Sequence, residues 1–177
     1  MATIDVPGPL VELLFVRAAW GLDVAPDIPA GSPPPDPGAS VRPERAGLEG
    51  LWGALWQQAL VWRVSWPPSG AVPSWVAVYG TDGLDLLQLR LWTRAVRSDL
   101  AAAINAQLAE DGGATGLHRR TYHNGRIEDA AALGVSTVLV LPVSGYYASR
   151  PAADTIVLSR EAFTDDEQWK RSLDADA

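Results

Sequence analysis

Apolar positions recur at helical spacing near the start of the chain. In residues 9–22, Leu10, Leu13 and Leu14 lie about one turn apart, Arg17 continues the stripe, and Pro9 suits a first turn. Leu48, Leu51, Trp52, Leu55, Trp56 and Ala59 form a second, wider stripe, which predicts a helix ending near residue 59. The period then changes. Trp62, Val64 and Trp66 alternate with Arg63 and Ser65, the two-residue period of a strand. Residues 74–80, "SWVAVYG", predict a second strand. Leu87, Leu89 and Leu91, alternating with Gln88 and Arg90, predict a third, with Asp82-Gly83 as the hairpin turn between them. A three-stranded antiparallel meander is expected, although the run from Leu84 also suits the start of a long helix.

Residues 93–113 read as an alanine-rich helix, with Val96, Leu100, Ile104 and Leu108 on one face and glycines after its end. Two apolar runs of strand length follow, "STVLVLPV" (136–143) and "DTIVLS" (154–159). A last helix is predicted over 164–173. Thr164 and Glu167 have capping-box spacing there, and Asp165 and Asp166 sit at the dipole's positive end. Strands followed by a helix thus occur twice, over about 60–110 and about 119–173. The expected fold class is α+β: one domain over residues 1–177, an N-terminal helix pair, and antiparallel sheet in two strand-then-helix halves.

Residues 25–43 break this pattern. They hold half of the fourteen prolines and little apolar bulk, so they read as an extended surface linker. A free tether of this kind contributes little to stability through its length. The run "PPPDP" also suits a polyproline ligand, but carries little specificity on its own.

Composition narrows the chemistry. A chain of 177 residues, 47% hydrophobic, can bury a core without crosslinks. It has no cysteine, which removes thiol catalysis, disulfides and thiolate metal sites. A formal charge of −7 argues against binding a nucleic-acid backbone or an anionic membrane surface. No apolar run has the length of a membrane span. The N-terminal apolar stretch lacks a preceding basic residue and is interrupted by Glu12 and Arg17, so it reads poorly as a signal peptide. A soluble, cytoplasmic protein is expected.

Both histidines fall in "GLHRRTYHNGR" (116–126), with Arg119, Arg120 and Arg126. A hairpin turn at Asn124-Gly125 pairs His123 with Arg126 and Tyr122 with Ile127. On a strand, His118 and His123 point to opposite faces; on a helix, they stand about 140° apart. Neither arrangement suits one metal, so no metal and no cofactor is expected. Arg119, Arg120, Arg126 and His123 remain as a candidate anion site, against the plainer alternative of a solvated hairpin with Glu128 and Asp129 as ion-pair partners. The second candidate is the connection 142–154, whose Tyr146, Tyr147 and Arg150 have the chemistry of a contact surface. The plainer alternative there is a tyrosine packed under a loop beside a solvated arginine. Seven of the eight tryptophans lie within the first 92 residues and are expected mostly in the core. No "GxGxxG", P-loop or "GxSxG" pattern is present.

The reading that follows is a non-enzymatic protein-binding module of adaptor, chaperone-like or immunity type. Its expected partner is another protein, neither nucleic acid nor membrane. The alternative is a small-molecule or anion-binding protein, or an enzyme, using arginine and carboxylates in a Trp-lined pocket. A deep pocket with convergent charges favours the alternative, and a flat exposed aromatic patch favours the module.

Overall fold

The computed structural model describes residues 2–24, 28–64, 72–111 and 125–174. The chain enters through a short strand, β1 (Thr3–Asp5), and turns into helix α1 (Gly8–Trp20). That helix is apolar nearly all round. Leu10, Val11, Leu13, Leu14, Phe15, Val16 and Trp20 are all buried, so it needs cover on every side. Helices α2 (Leu48–Val64), α3 (Trp75–Tyr79) and α4 (Leu86–Asp111) supply that cover, each packing on α1. Gly21, at φ +58°, ends α1, and Leu22 N–H returns to the Arg17 carbonyl at 2.9 Å.

The rest of the chain runs through α5 (Gly125–Ala132), β2 (Thr137–Leu141), β3 (Ala148–Ala152), β4 (Thr155–Ser159), α6 (Arg160–Thr164) and α7 (Asp166–Leu173). The sheet order is β1-β2-β4-β3. Strand β1 pairs parallel to β2, β2 parallel to β4, and β3 antiparallel to β4. All of β4 and four of the five residues of β2 are buried, which is why these two strands read as unbroken apolar runs. The α6 helix packs on both, and α2 reaches β3. No helix of the described residues is long and apolar enough to cross a membrane.

The fold is α+β, but the sheet is mixed where an antiparallel one was expected. Strand β1 gives no periodic signal in three residues. It exists because Thr3 N–H finds the Ser136 carbonyl at 2.8 Å, 133 positions along the chain.

The expected meander is replaced by helices. The α2 helix continues through Val64, α3 occupies the second expected strand, and α4 absorbs the third together with the helix after it. Trp66 lies outside the described residues. Burial shows which period won. Leu89, Trp92, Val96, Leu100 and Ile104 are buried at helical spacing, while Leu87 and Leu91 are 64% and 53% exposed. Extending a formed helix orders one residue per hydrogen bond, so a few alternating residues do not stop it. Asp85 starts α4, its Oδ1 accepting from the N–H groups of Leu87 (3.0 Å) and Gln88 (3.1 Å). The turn at Asp82-Gly83 is present, with Gly83 at φ +74°, but it delivers the chain into that helix. At the other end, α7 is capped by Asp165, which accepts from Gln168 N–H at 2.8 Å. Thr164, the expected cap, instead donates to the Arg160 carbonyl at 3.1 Å.

Residues 28–43 follow the surface as a connection, yet they are not a free tether. Ile28 is fully buried, and its carbonyl accepts from Arg17 Nη1. Ser32 N–H donates to Pro142 O (2.7 Å), and Ser144 N–H to Ala30 O (2.9 Å). The Trp92 indole donates to Pro33 O at 2.9 Å, and Val41 N–H to Gly83 O at 2.9 Å. Prolines lack an amide donor, but their carbonyls and those beside them still accept.

Candidate functional site

The structure describes four of the site residues that the sequence singled out: Arg126, Tyr146, Tyr147 and Arg150. His118, Arg119, Arg120 and His123 lie outside the described residues. Arg126 does not stand on a hairpin, because Gly125–Ala132 is a helix. It is 4% exposed and donates from Nε to Phe163 O (2.8 Å), and from Nη2 to Thr164 O (3.3 Å) and Asp166 Oδ1 (2.7 Å). The rings of Phe163 and Trp169 lie 5.8 and 5.9 Å from its guanidinium carbon. A helical period puts Arg126 and Ala130 on one buried face; a strand period had placed Ile127 inward instead.

Tyr146, Tyr147 and Arg150 are each engaged within the fold. Both tyrosines are half-buried against the core, and Arg171 stacks 4.3 Å over the Tyr146 ring. The Tyr147 carbonyl accepts from Ser159 N–H (2.9 Å), its own N–H donates to Ser159 Oγ (3.2 Å), and burial raises its phenol above the usual 10.0. Arg150 belongs to β3 and gives its guanidinium to the carbonyls of Ala153 (2.7 Å) and Leu133 (3.3 Å).

A different place gathers polar chemistry. One face of α4 forms the wall of a groove of about 960 Å³. That wall runs from Leu86 to Asn105, about 28 Å at the rise of a helix. The opposite side is built by the end of β1, the first turns of α1, and α3 with the residues flanking it. Val6, Leu89 and Ile104 give it an apolar floor. Arg90, Arg94 and Arg97 stand along it at i, i+4 and i+7, all on one face of α4.

Partners elsewhere leave these three cations unmatched. Among the described residues, none of the three makes a hydrogen bond or an ion pair. Glu12 is in the groove, but its Oε1 accepts from Ser74 Oγ (2.8 Å) and Val76 N–H (2.9 Å), tying α1 to the start of α3. Asp5 Oδ1 accepts from Val6 N–H at 2.7 Å. Arg97 lies over the first turn of α1: a Cβ on Gly8 would meet its Nη1 at 3.6 Å. That turn begins at Pro7 without a side-chain cap, so its positive dipole end adds to the cationic field. Thr93, between Arg90 and Arg94, carries a buried Oγ1 with no hydrogen-bond partner.

Among the described residues, no tryptophan lines this groove. Trp20, Trp52, Trp56, Trp75, Trp92 and Trp169 are core residues, with Trp52 and Trp56 stacked at 5.0 Å. The signal for the groove was nonetheless in the sequence. "RLWTRAVR" (90–97) carries its arginines at helical spacing, but a strand through residue 92 assigns Arg90 to a different element from the other two.

The chain matches no protein-family model, and comparison with curated proteins and with solved structures finds no match.

Proposed function

We propose that this is a binding protein that takes an anionic ligand in the groove between α1 and α4, with Arg90, Arg94 and Arg97 as the recognising cations. The observation that carries the reading is the unpaired arginine row in a chain with 21 acidic and 14 basic residues. Two arginines elsewhere pair with carboxylates, Arg42 with Glu49 (2.6 Å) and Arg126 with Asp166 (2.7 Å), and Arg17 and Arg150 bond to backbone carbonyls. Guanidinium groups suit carboxylate or phosphate oxygens because their planar fork donates two parallel bonds. The groove volume lies within the range of small-ligand sites, and its apolar floor favours a ligand with some apolar surface. A partner surface at Tyr146, Tyr147 and Arg150 is less well supported, since those groups are engaged within the fold.

Titration of the protein with citrate and with tripolyphosphate, at constant ionic strength, tests this reading. A bound anion raises the melting temperature in a saturable way, by the equivalent of about 2.7 kcal/mol at a hundredfold excess over Kd. An Arg94→Ala/Arg97→Ala variant is expected to melt like the parent and to bind either anion at least about tenfold more weakly. Equal anion binding by parent and variant would sink the reading.

A further inference from the structure

This inference rests on the anion-binding reading and names the form of the ligand. We propose that the groove holds an extended segment of another polypeptide, with acidic side chains at alternate positions facing Arg90, Arg94 and Arg97.

The shape of the groove makes the first part of the case. It runs about 28 Å along α4, much longer than the stretch that carries the three arginines. A compact anion would cover the arginines and leave most of the groove's length empty. About eight extended residues match that length.

Spacing makes the second part. Arg90 and Arg94 are about 6 Å apart along the helix axis, and Arg94 and Arg97 about 4.5 Å. Side chains on one face of an extended chain repeat every 6.7 Å or about that. The mismatch is about 1 Å for the first pair, and the long arginine side chains absorb the rest. Backbone chemistry adds a third observation. An extended chain offers an N–H and a C=O at every residue. On the side opposite α4, Ile4 lines the groove from β1, which pairs only with β2 among the described strands. Thr3 N–H bonds to the β2 side, so in a parallel ladder the backbone groups of Ile4 face away from β2. Charge complementarity selects an acidic segment.

Fluorescence anisotropy with the full chain tests the proposal. The probe is a labelled octapeptide with glutamate at alternate positions and valine between them, compared with the same peptide carrying glutamine. The glutamate peptide is expected to bind at least about tenfold more tightly than the glutamine peptide, and to weaken as salt is raised. Arg94→Ala/Arg97→Ala is expected to remove that preference. The comparison of two peptides on the parent protein stands even if the variant folds poorly. Equal binding of the two peptides overturns the proposal. Failure of both peptides, while citrate or tripolyphosphate still raises the melting temperature, also overturns it and leaves the anion-binding reading in place. Failure of peptides and anions alike removes both.

Discussion

Arg126 reaches Asp166 at 2.7 Å, from a guanidinium that is 4% exposed to a carboxylate that is 77% exposed. The two ends of this ion pair therefore matter unequally. On the buried side, Arg126 also holds the carbonyls of Phe163 and Thr164 at the end of α6, and so joins α5 to the junction of α6 and α7. Arg126→Met is expected to lower stability by about 3 kcal/mol, because it removes a buried cation together with the donors of two carbonyls. Asp166→Asn should cost about 1 kcal/mol or less, since water already solvates that carboxylate. Chemical denaturation of both variants measures the difference. Equal losses would show that the ion pair, and not the carbonyl contacts, holds the junction.

The proline-rich connection should behave as part of the folded body. Ile28→Ala is expected to cost about 3 kcal/mol, the scale of a fully buried aliphatic side chain, or roughly 6–12 °C in melting temperature for a chain of this size. Gly38 is at φ +56°, and a Cβ there would come within 2.5 Å of Asp85 Oδ2, so Gly38→Ala should also destabilise. Replacing residues 29–42 by a short Gly/Ser linker should lower the melting temperature by several degrees. An unchanged melting temperature would mean that those contacts add nothing.

Asp85 links that connection to α4, and this gives the fold a sensitivity to acid. The Ala39 amide, followed by those of Gln88 and Leu87, holds the Asp85 carboxyl below its ordinary 3.8. A carboxyl whose folded pKa is depressed contributes stability that is complete above the unfolded value and is lost as pH falls below it. The window therefore opens near pH 3.8 and extends downward. Asp85→Asn should be less stable than the parent at pH 7, with the gap narrowing as pH falls through that window. Urea midpoints recorded from pH 7 to pH 3 test this; a constant gap counts against it.

Tyr147 sets the opposite limit. Burial raises its phenol above 10.0, so the folded state holds a proton that the unfolded chain releases. The stability it contributes is complete below pH 10 and is lost as pH rises through the higher folded value. Tyr147→Phe should reduce the loss of stability above pH 10, and its difference spectrum should lack one late-titrating phenolate. If the parent and the variant show the same alkaline melting curve, burial at Tyr147 has no energetic role.

Three parts of this protein were legible from residue order alone. The apolar stripe of α1 and the unbroken runs of β2 and β4 each leave one arrangement that buries their side chains, and the acidic start of α7 marks a helix N-terminus. Elsewhere two arrangements fitted the same residues. Leu87, Leu89 and Leu91 satisfy a strand and a helix equally, and Leu89 is buried only because α1 packs on the helical face that it shares with Trp92 and Val96. That choice also aligned Arg90, Arg94 and Arg97 on one face and so made the groove. Arg126 gave no local sign of burial, because the carbonyls that accept its protons lie 37 and 38 residues away. Periodicity reports how a segment meets its own neighbours, so it identified the elements that are buried on most sides. Contacts between segments far apart in the chain leave no period, so the edge strand, the buried cation and the cationic groove were decided by tertiary packing.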